Sequence, residues 1–454
     1  MKNEDGTWDF KAALDAYSDG DYESAFKQLQ RGASIGDDDA QTALGTMYRK
    51  GQGTPINPRE AIRWYMAAAE QGNPIAQSSM GFCYANGIGL DQDYRQAIHW
   101  FVLAAEQNHS DAQCDLGKIY REGLSVDVDF DAALAWFQHA ADQGNSIAQN
   151  YLAGMYENGE GVETDTSIAV RWYSESASRG FADAQVYLGV LYETGKGVTQ
   201  NYKESIYWYQ KAADQEFPAA YSLLGHMYFA GKGIARDEDT AIKLFTKSAD
   251  LGDSSGQYNL GIILWGKSET DQDYFVASSW LLKASEQGHH SAMVHVAKEK
   301  LEGGGLPRDD EGAYDLFRQA ASLQNVEGIR MVGYCLENGV GIDKNTFQAF
   351  QYYSEAASFG DASSQFSLGT CYEYGIGVEV DYIAASRCYL DSANAGFPSA
   401  QFNLAIMMLN ATGIERNISD GVDWLQKAAT QGHARAGEAL QHLKDQGLLG
   451  ESMH

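Results

Sequence analysis

The chain has 454 residues, 44% of them hydrophobic, and a formal net charge of −29 from 62 acidic and 33 basic residues. Such a negative surface repels phosphate backbones and anionic lipid headgroups, which argues against nucleic acid and membranes as partners. A basic protein or peptide is the partner that electrostatics favours. The alternative is that the acidity only keeps a long helical array soluble.

Targeting signals and cysteine usage bear on the compartment. Residues 1–5 are mostly polar, and no apolar run in the chain approaches the roughly 20 residues of a membrane-spanning helix. The five cysteines are an odd number without close pairing, which favours a reducing compartment. We therefore expect a cytoplasmic protein, or a periplasmic or secreted one if a leader was removed before residue 1.

The first predicted element is a helix pair in residues 1–36, with a short turn at Ser18-Asp19-Gly20-Asp21. Residues 37–432 then form a tandem array. Its period of 36 residues is carried by eleven positions that hold only Gly or Ala: Gly45, Gly81, Gly117, Ala153, Gly189, Gly225, Gly261, Ala297, Gly333, Gly369 and Ala405. A period of this length indicates one supersecondary unit copied in tandem. We predict an all-α solenoid of about twelve helix pairs of 36 residues.

The first helix of each unit carries small and apolar residues at helical spacing, as at Ala40, Leu44, Gly45 and Tyr48. These positions share one stripe of a helix, which must be buried. A glycine inside a helix costs roughly 1 kcal/mol relative to alanine. We expect close approach by the backbone of the neighbouring helix to compensate.

A Gly-x-Gly turn follows the first helix in most units. It resembles part of a dinucleotide-binding fingerprint, but that fingerprint needs a preceding strand and a third glycine. Here the glycines come where a helix ends, so we predict left-handed residues that close its last turn. The turns are Gly51-Gln52-Gly53, Gly87-Ile88-Gly89, Gly159-Glu160-Gly161, Gly195-Lys196-Gly197, Gly231-Lys232-Gly233, Gly339-Val340-Gly341 and Gly375-Ile376-Gly377.

An Asx residue precedes the second helix at the same position in every unit, which predicts an N-cap. These residues are Asp21, Asn57, Asp93, Asp129, Asp165, Asn201, Asp237, Asp273, Asp309, Asn345, Asp381 and Asn417. The same helix carries a tryptophan column, for which burial in the core is favoured over a carbohydrate-stacking ladder. Its members are Trp64, Trp100, Trp136, Trp172, Trp208, Trp280 and Trp424.

Two neighbouring units depart from the pattern. The seventh replaces Gly-x-Gly with Lys267-Ser268-Glu269, and the eighth has Lys300 where tyrosine belongs, beside Lys298 and Glu299. These changes indicate either a softer joint or simple drift. Residues 433–454 are predicted to form a helix that caps the open end, followed by a tail.

The combined phrase Ala-x-x-x-Leu-Gly-x-x-Tyr-x-x-Gly-x-Gly-Val, then an Asx, then Ala-x-x-Trp-Tyr-x-x-Ala-Ala-x-x-Gly resembles the SEL-one-like repeat family. The stretch from Ala184 through Ala213 matches closely, with departures at Ser205 and at Glu216 just beyond it. This family is related to the tetratricopeptide repeat, which the helix pair in residues 1–36 resembles more. The resemblance implies a right-handed superhelix, with first helices lining its concave side, and an adaptor or scaffold role. Members include quality-control adaptors, immunity proteins that neutralise secreted toxins, and a cysteine-rich branch described as β-lactamase-like.

Residues that could carry chemistry give weak patterns. Cys335 and Cys371 lie one repeat apart, roughly 10 Å between neighbouring helices, which is beyond disulfide reach, and we expect all five cysteines to be unpaired, mostly as small core residues. Ser24 and Lys27 fit Ser-x-x-Lys without the partner motifs of a penicillin-binding site. His289, His290 and His295 lack a carboxylate or fourth ligand placed for a metal. We predict neither enzymatic activity nor a cofactor or metal.

The positions that packing leaves free on the first helices are the candidate partner-binding surface. Aromatic and acidic residues there predict a protein-binding groove, and reversing the four glutamates to lysine is expected to weaken capture without changing the melting temperature. The candidate residues are Tyr151, Glu157, Tyr187, Glu193, Tyr258, Glu337, Phe366, Glu373 and Phe402.

The sequence thus predicts a monomeric, non-enzymatic scaffold that binds a protein or peptide. The net charge of the chain favours a basic partner. An immunity-type inhibitor of a secreted toxin and a β-lactamase-like enzyme are the alternatives.

Overall fold

The computed structural model describes residues 9–303 and 305–446. The charged N-terminal residues 1–5 and the end of the predicted tail lie outside them. Within the described residues the chain forms 25 α-helices and no strand, which confirms the predicted fold class. The helices are α1 Phe10–Ser18, α2 Tyr22–Ser34, α3 Asp38–Lys50, α4 Pro58–Glu70, α5 Pro74–Asn86, α6 Tyr94–Glu106, α7 Ser110–Glu122, α8 Phe130–Asp142, α9 Ser146–Asn158, α10 Thr166–Ser178, α11 Ala182–Thr194, α12 Tyr202–Ala213, α13 Pro218–Ala230, α14 Glu238–Asp250, α15 Ser254–Lys267, α16 Asp271–Glu286, α17 His290–Glu302, α18 Asp310–Ser322, α19 Val326–Asn338, α20 Thr346–Ser358, α21 Ala362–Tyr374, α22 Tyr382–Asn394, α23 Pro398–Asn410, α24 Ile418–Thr430 and α25 Ala434–Asp445.

The helices belong to two compact units, Met1–Arg236 and Asp237–His454. In the first unit each helix from α1 to α12 packs against the helix that follows it, and first helices of consecutive repeats also touch, as α5 with α7 and α7 with α9. The second unit, α14 to α25, is built in the same way, and α17 touches α19. Each unit is therefore a helical solenoid with its first helices side by side.

Most glycines of the ladder mark where a first helix receives a ring from the second helix of its own repeat, whereas Gly261 receives the Leu281 side chain. A Cβ added at Gly189 would lie 2.5 Å from Tyr209, and one at Gly81 would lie 2.6 Å from Phe101. The ring is the closest neighbour at both positions. The expected approach of the neighbouring backbone also occurs, since a Cβ at Gly45 would lie 3.1 Å from the Ala61 carbonyl oxygen, but it is only part of the cause. A ring edge fills the space of the missing side chain.

The tryptophan column is less buried than predicted. Of its members only Trp172 is buried; the other six are half-buried at the margin of the core. The residue after each tryptophan occupies the centre instead, as Tyr65, Phe101 and Phe137 do. One helical step turns a side chain by about 100°, so both cannot face the glycine ladder.

Eleven of the twelve predicted Asx caps are confirmed, because each is the N-cap of its helix and its side chain accepts a backbone N–H. The prediction for Asp273 was wrong. Helix α16 begins earlier, at Asp271, with Thr270 as its cap, and Asp273 closes a capping box from the third helical position. The lost Gly-x-Gly turn before it allows this longer helix.

The predicted Gly-x-Gly turns are confirmed, since both glycines of all seven have positive φ. The first closes its helix, as Gly87 does with a φ of 66°. The second lies against the start of the preceding second helix: a Cβ at Gly377 would lie 2.0 Å from the Thr346 carbonyl oxygen. Turns and helix starts therefore form one edge along each unit.

A row of glutamines also links consecutive repeats. Gln41 donates from Nε2 to the Ala33 carbonyl of the preceding repeat at 3.2 Å, and Gln71 donates to Gln41 Oε1 at 2.8 Å. The same pair of bonds recurs at Gln77 and Gln107. These bonds satisfy amides that are buried between helices.

Candidate protein-binding surface

The clearest concavity on the first helices lies in the first unit, across α3, α5, α7 and α9. It has a volume of about 340 Å³. The lining residues are Arg49, Ser78, Ser79, Phe82, Asp111, Cys114, Asp115, Lys118, Asn145 and Ile147. We call this surface the first-helix groove. Its floor contains Ser78 and Cys114, which belong to the column of positions that the repeat leaves free.

Two apolar side chains in the lining of the groove are exposed. Phe82 is 40% exposed and Ile147 is 38% exposed. The Arg49 guanidinium lies over the Phe82 ring, 5.5 Å from its centroid, and Arg49 Nε donates to the Tyr65 hydroxyl at 3.4 Å. Sequence reasoning missed Phe82 and Ile147. The signal for Ile147 was weak, because its column holds Asp39, Asp111 and Asp183 but also Ile75, which is itself exposed.

Charges of both signs meet inside the groove. Lys118 Nζ donates to Asp115 Oδ1 at 3.0 Å. Burial raises the pKa of Asp115, although Lys118 opposes that shift. Burial acts to lower the pKa of Lys118, but the Asp115 carboxylate acts together with other nearby groups to outweigh burial, and the pKa is raised. The pair is a charged, half-buried contact, and the groove is polar at its centre and apolar at Phe82 and Ile147.

The predicted aromatic candidates are ring-stacked rather than free. Tyr151 of α9 stacks on Phe137 with ring centroids 5.0 Å apart. Lys118 Nζ lies 5.7 Å from the centroid of the Tyr151 ring. This contact places Tyr151 beside the groove. Tyr187 of α11 stacks on Tyr173 and is 47% exposed, the most accessible of the nine candidates.

The other aromatic candidates lie in the second unit and do not join the groove. Tyr258 stacks on His289 with centroids 4.5 Å apart. Phe366 packs against Tyr389 and Phe397, and Phe402 stacks on His433. All three of these candidates are half-buried.

The four acidic candidates each accept a hydrogen bond from a buried tyrosine of their own repeat. The hydroxyl-to-carboxylate distances are 3.1 Å for Tyr173 with Glu157, 3.0 Å for Tyr209 with Glu193, 2.8 Å for Tyr353 with Glu337, and 2.6 Å for Tyr389 with Glu373. Burial, together with the facing carboxylate, raises the pKa of all four tyrosines. These hydrogen bonds argue against the expectation that charge reversal of the glutamates leaves the melting temperature unchanged, because a buried donor would lose its acceptor.

The sequence itself contains the signal for these pairs. Glutamate occurs in that column only in the four repeats named above, and in each of them the residue that packs on the glycine ladder is a tyrosine. In the repeat with Tyr65 the position is Arg49, and Thr46 lies 3.0 Å from the tyrosine hydroxyl. In the repeats where phenylalanine or leucine replaces this tyrosine, the glutamate column holds Ala85, Arg121, Phe229, Trp265, Leu301 and Leu409.

The irregular lysines and glutamate of the eighth repeat have polar neighbours, although buried Glu299 Oε1 and His295 Nε2 make no hydrogen bond within the described residues. Lys300 pairs with Asp309 at 2.7 Å, and Lys298 pairs with Glu327. Buried Glu299 accepts from the Ser278 hydroxyl at 2.5 Å, and its second carboxylate oxygen lies 3.2 Å from His295 Nε2. The serine thus contacts the carboxylate and not the imidazole, so this is not the order of a nucleophile and its base.

The remaining chemical candidates fall on structural positions. Cys83, Cys114, Cys335 and Cys371 are buried free thiols, Cys388 is a half-buried one, and burial raises the pKa of Cys335 to about 11. Lys27 is exposed and lies 3.9 Å from Glu23. His289 caps α17 through Nδ1. Among the described residues no group of His, Cys, Asp or Glu is arranged to hold a metal ion.

Comparison with known proteins gives a consistent family assignment. The Sel1 repeat sequence model matches eleven consecutive segments: residues 38–73, 74–109, 110–145, 146–181, 182–217, 218–253, 254–289, 290–325, 326–361, 362–397 and 398–433. The crystal structure of c5321, a protective antigen present in uropathogenic Escherichia coli strains that displays an SLR fold, is similar. It is 30% identical, with a TM-score of 0.66 over 94% of this chain and 91% of that one.

A Sel1 repeat protein from Oxalobacter formigenes is 29% identical, with a TM-score of 0.50 over 53% of this chain and 97% of its own. An immunity protein from Pseudomonas aeruginosa, Pa5087, is 20% identical with a TM-score of 0.33, over 48% of this chain and 83% of its own; that likeness is too distant to transfer a role. A search of the curated proteins found no match.

Within residues 9–303 and 305–446, no helix has the length and hydropathy needed to cross a membrane.

Proposed function

This chain belongs to the Sel1 repeat family, whose members are generally protein-interaction scaffolds, and we propose that it is a non-enzymatic scaffold that binds a protein or peptide through its first-helix groove. The observation that carries the proposal is the groove itself. It spans four consecutive first helices of one unit and exposes Phe82 and Ile147 beside a polar centre. An apolar anchor site surrounded by polar groups is typical of protein-recognition surfaces.

The electrostatics of the partner divide into a long-range and a local part. The net charge of −29 attracts a basic partner and accelerates its approach. The lining of the groove holds two carboxylates, Asp111 and Asp115, and two cations, Arg49 and Lys118, so the local charges are balanced. We propose a partner that is basic overall and inserts an apolar side chain between Phe82 and Ile147. Tyr151 and Tyr187 extend this surface along the next first helices, and the candidates in the second unit stay a separate prediction.

The test is affinity capture from cells of the encoding organism, read out by mass spectrometry. The test variant carries Phe82→Ser and Ile147→Ser, which remove both apolar side chains and leave the floor intact. The matched control is Ile35→Ser, because Ile35 is also exposed, at the end of α2. We expect wild type and control to retain the same partner and the groove variant to lose it.

Stability has to be measured for all three proteins. The replaced side chains are all partly exposed, so thermal melting is expected to differ little between the groove variant and the control. Equal recovery of partners by the groove variant and by wild type would remove the groove from the proposal.

The identity of the captured protein tests the immunity-type alternative. That hypothesis predicts a secreted toxin whose activity falls when this chain is added in stoichiometric amount. A partner without toxicity would leave the general scaffold as the function.

A further inference from the structure

The second unit exposes a cluster of large apolar side chains on the edge formed by its turns and second-helix starts. Ile342 is 39% exposed, Phe347 61%, Val380 51%, Tyr382 46% and Ile383 56%. All five come from the turns and second-helix starts of two consecutive repeats, in residues 339–347 and 375–383. We call this cluster the turn-edge patch. Contiguous exposed apolar area of this kind marks interaction sites.

The packing rule of the repeat accounts for only part of the patch. The columns of Ile342 and Tyr382 are mostly apolar in the other repeats, but the column that Phe347 and Ile383 share is not. Phe347 and Ile383 occupy the second position of α20 and α22. Nine other repeats hold a polar residue there: Glu23, Arg59, Arg95, Asp131, Ser167, Lys203, Asp239, Glu311 and Ser419. Only Phe275 shares the apolar character, and the repeat with Glu311 separates it from the patch. Apolar residues at this position are therefore an addition to the fold.

The backbone brings the two repeats together at this edge. A Cβ at Gly377 would lie 2.9 Å from the Phe347 Cα, so the turn after α21 lies directly on the start of α20. Beside it, Tyr372 and residues 378–383 line an open crevice of about 520 Å³ with Gly413. The apolar side chains thus adjoin a recess that can receive a side chain from outside.

The charges around the patch specify its occupant. The two segments carry three carboxylates, Asp343, Glu379 and Asp381, and one cation, Lys344. Asp381 accepts from the N–H groups of Ile383 and Ala384 and so offsets the positive end of α22. Glu379 lines the crevice and has no ion-pair partner in the described part of the chain.

We propose that the turn-edge patch binds a segment of another protein in which bulky apolar side chains alternate with lysine or arginine. The apolar side chains cover Phe347, Val380 and Ile383, and the cations pair with Glu379 and Asp343. This surface is distinct from the first-helix groove, and either can bind without the other.

A labelled peptide of five leucine-lysine repeats is a direct probe, with fluorescence anisotropy as the readout on the full chain. The test variant is Phe347→Ser with Ile383→Ser, which installs the residue that Ser167 and Ser419 supply at this position. The control is Ile56→Thr, an exposed turn residue of the first unit. We expect the test variant to bind at least tenfold more weakly than wild type and the control to bind equally. The change Glu379→Gln should weaken binding less and reduce its salt dependence.

Companion peptides separate specific recognition from attraction to an acidic protein. Five leucine-glutamate or five serine-lysine repeats are expected to bind at least tenfold more weakly than the leucine-lysine probe. Equal binding of either peptide, or an unchanged affinity of the serine variant at equal melting temperature, would overturn the proposal. So would light scattering that finds a wild-type dimer and a monomeric serine variant, because the patch would then join two copies of this chain.

Discussion

At the scale of single residues, the glutamates of the first helices could bind a partner or could accept hydrogen bonds within the fold, and the structure assigns the second role. Glu157, Glu193, Glu337 and Glu373 each satisfy a tyrosine hydroxyl that packing has buried. A buried hydroxyl without an acceptor costs roughly 1–3 kcal/mol. Repeats with phenylalanine at the ring position need no such acceptor, and they carry none. Part of the negative charge of the chain is therefore structural.

The pair of Glu337 and Tyr353 gives a residue-scale prediction. The change Glu337→Lys should lower the free energy of unfolding by about 1–3 kcal/mol, because the Tyr353 hydroxyl loses its acceptor. Adding Tyr353→Phe removes that hydroxyl and should recover much of the loss. The matched control is Glu355→Lys, an exposed glutamate of α20. Urea unfolding checks this, and equal midpoints for Glu337→Lys and Glu355→Lys would contradict it.

At the scale of helices, the glycine ladder sets how closely the two helices of a repeat approach. The space above Gly189 is filled by the ring of Tyr209, whereas Gly154 of α9 has only the Tyr173 hydroxyl within reach, at 3.6 Å. Both glycines are in helix interiors. The two positions differ in what an added methyl group would contact, so replacing glycine with alanine should have opposite effects on stability at the two positions.

The two glycines therefore form a matched pair. We expect Gly189→Ala to destabilise the chain by about 1–3 kcal/mol through overpacking. Gly154→Ala should stabilise it by up to about 1 kcal/mol through helix propensity. Thermal melting of both variants tests this, and hydrogen exchange should place the loss from Gly189→Ala in α11 and α12. Shifts of the same sign would contradict the account.

At the scale of the whole molecule, burial raises the pKa of every cysteine and of the tyrosines that face glutamates. It raises the pKa of Cys83, Cys335 and Cys388 to about 11 and that of Cys114 and Cys371 to about 12. In every case the folded chain holds its protons to a higher pH than the unfolded chain does.

This coupling predicts alkaline instability. Unfolded thiols lose their protons near pH ~8.5 and unfolded phenols near pH ~10. Above those values the unfolded chain binds fewer protons than the folded one, so stability falls as pH rises. The stabilisation is fully present below pH ~8.5. The urea midpoint should therefore decrease between pH ~7.5 and ~10, and recover on return to the lower pH. A constant midpoint across this range would contradict the prediction.

Much of the fold could be predicted because local chemistry repeats. The Asx caps and the Gly-x-Gly turns are local signals. Because they recur with a period of 36 residues, each of them can be recognised in the sequence. The prediction failed at Asp273, where losing one turn let a helix begin earlier. It failed for the tryptophans too, because a position next to a core residue can lie at the margin of the core.

The sequence by itself determined the helical repeat, the positions of its turns and most helix starts, since these depend on interactions within a few residues. Only the tertiary structure decided what the free positions do. It showed that Glu157 and Glu193 serve buried tyrosines, and that Phe82 and Ile147 line one groove. The reason is physical: a side chain's exposure and hydrogen-bond partner depend on neighbours from other helices, and a repeat period fixes which helices adjoin but not which side chains meet.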